Sequence, residues 1–246
     1  MLEYRFPGYL PSAEDLPDSD ETPVDNELQE LIPGLLKAIL LILWEQRMDW
    51  LFAIDMGLYI DPDQPPIVPD AFLSLGVERC YDEELRPSYV LWDEQVVPSL
   101  AIEIVSPTYR NEYTTKLERY AAIGVLYYVI YSSRRRRKPK LEVHKLINGV
   151  YQLQPSGLVW MPEIGLGIGY ERGNYAGVTR EWLYWYDEAG RRYPTPNEWV
   201  QQESQRAQLE SEHARQESQR AVIAEQRATQ LAQRLRELGV DPDSLL

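Results

Sequence analysis

Ser99-Leu-Ala-Ile-Glu-Ile-Val105 decides how this chain is read. It is the strongest short apolar run in the sequence, and it reads as a central, buried strand interrupted by one charge, Glu103. Ser106 and Pro107 end it. A helix is predicted over Glu112 to Ile123 and stops at Gly124, which can adopt the left-handed C-terminal cap. Leu126 to Tyr131 is again apolar and strand-like.

Upstream of the central run, Ile67 to Leu75 and Phe52 to Ile60 read as two more strands, the latter ended by Asp61-Pro62-Asp63. Ahead of them, Leu28, Leu31, Ile32, Leu35, Leu36 and Ile39 recur at helical spacing, predicting a helix from Glu27 to about Arg47. Asp25 or Asn26 would cap it, and Pro33 predicts a separate or kinked first turn. Downstream, Leu141–Leu146 and Val150–Leu153 flank Asn148-Gly149, a dipeptide suited to the positive φ angles of a tight hairpin turn. Residues 156–175 read as glycine-rich irregular strand. Thr179 to Asp187, with Trp182 and Trp185 three apart, is expected to form a closing helix.

The predicted fold class is therefore α/β, with a mixed central sheet flanked by helices. Three segments are expected: an acidic arm over residues 1–22, a folded domain over 23–190, and a charged helix over 196–239. In that last segment Gln-Glu-Ser-Gln-Arg-Ala occurs at 202–207 and again at 216–221, two heptads apart. Leu231, Leu235 and Leu238 make a fair coiled-coil seam, whereas the Glu and Ala positions before them make a poor one. Gly239 and Pro242 end the helix. Its expected role is self-association or partner binding, and an oligomer resting on it would fall apart on truncation at about Pro196.

The chain has 246 residues, 44% of them hydrophobic, with a net charge of −14. That is a globular composition. The charge is unevenly placed: residues 1–105 hold 5 basic and 22 acidic side chains, whereas residues 106–145 hold 10 and 3. An acidic first half opposes nonspecific attraction to nucleic acid, and a basic segment behind it is compatible with a phosphate substrate. Leu31 to Trp44 is too short to span a bilayer, and no signal peptide is visible, so a cytoplasmic, non-membrane protein is expected. One cysteine, Cys80, excludes an internal disulfide and a cysteine-based zinc cluster. Two histidines, His144 and His213, exclude a histidine-rich metal site.

Phosphate loops ending in Lys-Ser/Thr and nucleophile elbows are absent, and the histidines are too few for a serine or cysteine triad. Carboxylate and lysine chemistry remains. Asp70, after Pro69, and Glu103 both stand in apolar strands, where a carboxylate must be paired, hydrogen-bonded or bound to a cation. Two such carboxylates on neighbouring strands can hold Mg²⁺ or Mn²⁺, with Lys116 supplying positive charge nearby: the parts required for metal-assisted phosphodiester hydrolysis. A structural alternative stands beside this one. Glu103 can pair with Lys116 or Arg119, and Asp70 can bond to backbone at a strand start. The run Arg134 to Lys138 can track a nucleic-acid backbone or be a solvated loop. Trp92, Trp160, Trp182 and Trp185 suit core or rim packing. His144, in an alternating strand, reads as a surface or satisfied residue rather than a general base.

The segments Ile-Val-Pro-Asp-Ala-Phe-Leu-Ser-Leu (67–75), Pro-Ser-Leu-Ala-Ile-Glu-Ile-Val-Ser-Pro (98–107) and Lys-Leu-Glu-Arg-Tyr-Ala-Ala-Ile-Gly-Val-Leu-Tyr-Tyr-Val-Ile-Tyr (116–131), in this order, resemble the Uma-two family. The similarity covers roughly residues 20–188, and the tail also resembles tails found on members. The family is grouped with restriction endonucleases in the PD-(D/E)XK superfamily. The resemblance implies a restriction-endonuclease-like core, DNA as partner, and Mg²⁺ or Mn²⁺ as cofactor. It makes Asp70 and Glu103 the motif acids and metal ligands, and the backbone carbonyl of Ile104 a third ligand. The motif lysine expected two residues after Glu103 is replaced by Val105, and Lys116 matches the helix lysine thought to substitute for it in space. Asn111-Glu112-Tyr113 occupies the place of a further acid, with Glu112 as the substitute. From the first helix Asn26 or Glu27 would contribute, and Glu27 is the better ligand. The expected activity is endonucleolytic hydrolysis of DNA; the alternative is a catalytically weak or inactive nuclease-derived binding or assembly module.

Overall fold

The computed structural model describes residues 10–12, 16, 27–79, 85–105, 112–133, 135 and 139–237. The chain divides into two units, Met1–Thr195 and Pro196–Leu246. In the first, helix α1 (Glu27–Leu43) leads into strands β1 (Trp50–Ile54), β2 (Leu58–Tyr59), β3 (Ala71–Leu75) and β4 (Tyr89–Val90). The short helix α2 (Leu91–Glu94) and strand β5 (Leu100–Ile104) follow, then helix α3 (Thr115–Ile123) and strands β6 (Tyr127–Tyr131), β7 (Leu141–Ile147) and β8 (Val150–Leu153). Strands β9 (Val159–Met161), β10 (Leu166–Tyr175) and β11 (Val178–Tyr186) complete the unit. The central sheet has six strands in the order β1-β3-β5-β6-β7-β8. Within it β5 and β6 run parallel and every other neighbouring pair is antiparallel. This is the expected mixed sheet, with α3 carrying the chain between its two parallel strands, as a parallel connection requires.

Both faces of the sheet are covered, which is why β5 and β6 are apolar throughout. Side chains alternate along a strand. Leu100, Ile102 and Ile104 face one core, built with Ile32, Leu36 and Ile39 of α1 and the aromatic residues of β11. Ala101, Phe72, Tyr128 and Ile130 face the other, built with Tyr120 and Ile123 of α3. Glu103 lies between Ile102 and Ile104 and so projects to the α3 side. The Trp185 indole donates to the Leu36 carbonyl at 3.0 Å, tying β11 to α1.

Several expectations are corrected. Thr179 to Asp187 is not a helix but most of β11, paired antiparallel with β10 over nine residue pairs. The i, i+3 spacing of Trp182 and Trp185 imitates helical periodicity because Trp182 through Tyr186 are all buried, leaving no alternation to read. Ala176 and Gly177, at φ 50° and 77°, make the turn that joins the two strands. Residues 156–175 contain two regular strands, β9 and β10, joined by a turn at 162–165. The glycines of β10 make room for β11: a Cβ at Gly173 would stand 2.2 Å from the Tyr184 hydroxyl. The strand predicted from Phe52 to Ile60 is two strands, broken where Asp55 takes φ 47°. Ile67 forms only an isolated bridge with Leu58 ahead of β3. Helix α1 continues through Pro33 without a separate first turn and ends at Leu43, short of Arg47. The Asn148-Gly149 hairpin forms as expected, at φ 52° and 80°.

The second unit contains α4 (Pro196–Glu237), opened by the proline favoured at a first helical position and without a buried residue. The acidic arm over 1–22 falls almost wholly outside the described residues. So do Asp25, Asn26, Cys80, the acidic residues 82–84, Ser106, Pro107, Asn111, Leu238, Gly239 and Pro242. Among the described residues no helix is long and apolar enough to cross a membrane.

Candidate active site

Ala71 of β3 pairs with Ile102 of β5 in an antiparallel register. Continuing that register by one step sets Asp70 beside Glu103. Both are buried, Asp70 8% and Glu103 2% exposed. The Ile104 amide donates to Asp70 Oδ2 at 2.5 Å, and the Gln29 side-chain amide donates to Oδ1 at 3.2 Å. On Glu103, Oε2 accepts from Lys116 Nζ and Oε1 from the Tyr120 hydroxyl, each at 2.8 Å. Lys116 and Tyr120 are four apart on α3, hence on one face of the helix. Lys116 Nζ also reaches the Val68 carbonyl at 3.3 Å, so one ammonium bridges the approach to β3 and the end of β5.

The electrostatics follow from crowding charge where water is excluded. Burial, reinforced by the charge of Glu103, pushes the Asp70 carboxyl well above its ordinary value, against the pull of the Ile104 amide and Lys116. Burial likewise raises Glu103, although Lys116 and Tyr120 oppose it. Burial alone would lower Lys116, but the charge and hydrogen bond of Glu103, with Asp70 and Glu112 behind them, more than offset it and its pKa is raised. The ammonium therefore keeps its proton, while the two acids are reluctant to ionise together. Tyr120 is pushed far up by burial and by Glu103, so it serves as a donor only.

Of the residues singled out by sequence, Asp70, Glu103, the Ile104 backbone and Lys116 are brought together. Glu27 stands exposed at the first residue of α1. The α1 side chain that reaches Asp70 is that of Gln29, which sequence reasoning misses. A signal exists: Gln29 lies three and seven residues before Ile32 and Leu36, on the stripe α1 buries. Sequence reasoning misses Tyr120 too, its signal being the i, i+4 spacing from Lys116. Glu112 is buried near the site, where its charge raises the pKa values of Glu103 and Lys116. The other candidate partner of Glu103, Arg119, turns instead to the Pro65 carbonyl at 3.3 Å. Of the basic run, Arg134 and residues 136–138 lie outside the described residues. Arg135 pairs with Glu142 and stacks 4.2 Å from the centre of the Tyr113 ring. His144 packs beside Tyr128 and Tyr151, with Glu142 3.5 Å from its Nε2. Trp182 and Trp185 are core residues, and the Trp92 indole bonds to the Pro11 carbonyl.

The donor set suits a hard divalent cation. Two adjacent buried carboxylates, each raised by burial, are stabilised as anions by a second positive charge. Among the described residues no group of three or more Asp, Glu, His or Cys side chains is gathered tightly enough to hold a metal by itself. Mg²⁺-type binding uses one or two carboxylates and leaves the remaining positions to water and substrate phosphate. The 330 Å³ groove between Ile60, Gln64, Arg119 and Ile123 flanks α3 and includes none of these residues.

No curated protein matches the chain. Residues 20–172 match the model of the family Uma2, described as "Putative restriction endonuclease". The match contains α1, Asp70, Glu103 and Lys116.

Proposed function

The chain belongs to the Uma2 family, and from that membership together with the geometry around Asp70 and Glu103 we propose that it is a metal-dependent endonuclease acting on DNA. The observation that carries this reading is the pair itself: two buried carboxylates side by side on the approach to β3 and on β5, with Lys116 hydrogen-bonded to Glu103. Asp70 and Glu103 would hold Mg²⁺ or Mn²⁺, with the Ile104 carbonyl as the proposed third oxygen and Glu27 as a further proposed ligand. A bound cation supplies Lewis-acid activation of a phosphoryl oxygen and an acidified water. Lys116, charged because its pKa is raised, cannot take a proton from that water. Its role is to stabilise the negative charge developing on the phosphate. Tyr120 holds Glu103 in place, and the Ile104 amide and Gln29 fix both oxygens of Asp70.

Gln29 is thus a positioning residue. Gln29→Ala should weaken Mn²⁺ binding about tenfold, as loss of a group orienting a ligand commonly does. Unchanged affinity by calorimetry would remove Gln29 from the site.

One observation favours a second reading, a nuclease-derived module without activity: Lys116 and Tyr120 already satisfy both oxygens of Glu103 without any metal. Cleavage assays separate the two. Purified protein with Mn²⁺ should cut single- or double-stranded DNA, and Glu103→Ala should slow it by at least about a hundredfold, the upper range for loss of support at a metal site. Identical background from both proteins across varied DNA substrates would establish the inactive module.

A further inference from the structure

Helix α4 runs for 42 residues with no side chain buried, so its sequence pattern has no partner within its own unit. One line along it is apolar at every seventh residue: Val200, Ala207, Ala214, Ala221, Ala228 and Leu235. The residues just ahead of that line, from the second heptad onward, are Arg206, His213, Arg220, Arg227 and Arg234, four of the five being arginine. The line three residues after it changes character along the helix, from Glu203, Glu210 and Glu217 to Ala224 and Leu231. The opposite face is uniformly polar, at Gln205, Glu212, Gln219, Gln226 and Gln233. In coiled-coil terms these are the a, g, d and f positions, and the stripe asks for a partner.

Charge decides which partner and in which direction. A parallel, in-register pair would stack each glutamate of the d line on its own copy, giving three like-charge layers. Reversing one helix sets the d line against the a line. We propose that α4 pairs with α4 of a second copy of this chain as an antiparallel two-stranded coiled coil, with Ala207 level with the other copy's Leu231 and Ala214 level with its Ala224. Glu217, Glu210 and Glu203 then lie level with Ala221, Ala228 and Leu235. One residue ahead of those positions, on the same flank, stand Arg220, Arg227 and Arg234. Each carboxylate thereby meets a guanidinium across the interface, and the two-fold axis repeats the set. The distribution along the helix agrees: residues 196–216 hold four Glu and two Arg, residues 217–237 three Glu and four Arg, so opposite ends attract. Within one helix the glutamates have only weak exposed partners, such as Arg206 with Glu210 at 3.3 Å. The alanine seam lets the backbones approach closely, and the two Pro196 ends lie at opposite ends of a rod about 60 Å long at 1.5 Å per residue.

The test uses the full chain in a Cys80→Ser background, with single cysteines on α4. Light scattering in the micromolar range should give twice the 28.7 kDa of one chain. Under mild oxidation, a mixture of Ala207→Cys and Leu231→Cys proteins should form the mixed disulfide dimer, and neither protein should cross-link alone. The double variant Arg220→Glu/Arg227→Glu should weaken dimerisation at least tenfold and regain it when mixed with Glu210→Arg/Glu217→Arg. A monomer at all concentrations overturns the proposal. So does Ala207→Cys cross-linking to itself, which requires the parallel arrangement. All these positions are exposed, so the variants leave the first unit intact, and the outcome is independent of whether the protein cuts DNA.

Discussion

Lys116→Met should abolish Mn²⁺-dependent cleavage and destabilise the protein by about 2–3 kcal/mol at neutral pH. The second effect follows from what the ammonium does in the absence of substrate. Glu103 is 2% exposed and Lys116 Nζ, 2.8 Å away, is the cation bonded to it. Removing one member of a buried ion pair costs about 3–5 kcal/mol, because the remaining charge is left uncompensated. The Lys116 side chain is 26% exposed, which admits water and argues for an effect at or just below the low end of that range. Methionine keeps the stem and the helix propensity, so the effect isolates the charge. Its pH dependence has a definite sign. In the variant the Glu103 carboxyl loses the stronger of the two groups that oppose its upward shift, so its folded-state pKa rises further. Above that value the full penalty applies. As pH falls through it, Glu103 takes a proton, keeps its bond to Tyr120, and the gap between variant and wild type closes. Urea denaturation at neutral and at mildly acidic pH measures both limits, and a pH-independent difference would contradict the ion-pair account.

Asp70→Asn should do the opposite to stability. It should make the metal-free protein more stable at neutral pH while removing its function. The wild-type carboxyl is raised well above its ordinary value by burial and by Glu103. An acid raised on folding contributes nothing below its unfolded pKa, where it is protonated in both states. Stability is lost as pH climbs from there to the folded pKa, and above it the penalty is complete. Burying a polar group without full compensation costs about 1–3 kcal/mol, and more for a charge, so asparagine should gain at least about 1 kcal/mol. Its carbonyl can still accept from the Ile104 amide, and Gln29 can turn its own amide to meet the new NH₂ group. Wild type should become more stable as the pH is lowered into the ordinary carboxylate range, and this part of the pH dependence should be missing from the variant. Active centres often carry such strain, their groups being arranged for a ligand and not for the empty fold.

The sheet and the site differ in how plainly the sequence carries them. β5 and β6 are legible because both faces of each strand are buried, giving short unbroken apolar runs with a helix and a C-capping glycine between them. Glu103 stands out for the same reason, as the one charge inside such a run. β11 misleads because its aromatic residues are buried throughout, and two tryptophans three apart look helical when no alternation contradicts them. Asp70 is visible as a carboxylate among apolar neighbours. Gln29 is not: a neutral amide at the edge of a helical stripe is ordinary until the fold sets it 3.2 Å from Asp70. Tyr120 is hidden likewise, because a tyrosine in a helix declares nothing about which carboxylate its hydroxyl will meet. Contacts between polar groups far apart in the chain depend on register and helix placement, which periodicity does not encode.

Calorimetric titration of Mn²⁺ into wild-type protein and into Asp70→Asn tests the central claim, that Asp70 and Glu103 form a cation site. The variant is expected to be the more stable protein, so lost binding cannot be laid to unfolding. Saturable binding is expected for wild type and loss of that binding in Asp70→Asn, with the affinity falling as pH is lowered and the carboxylates take up protons. No binding to wild type, or equal binding to both proteins, would contradict that claim.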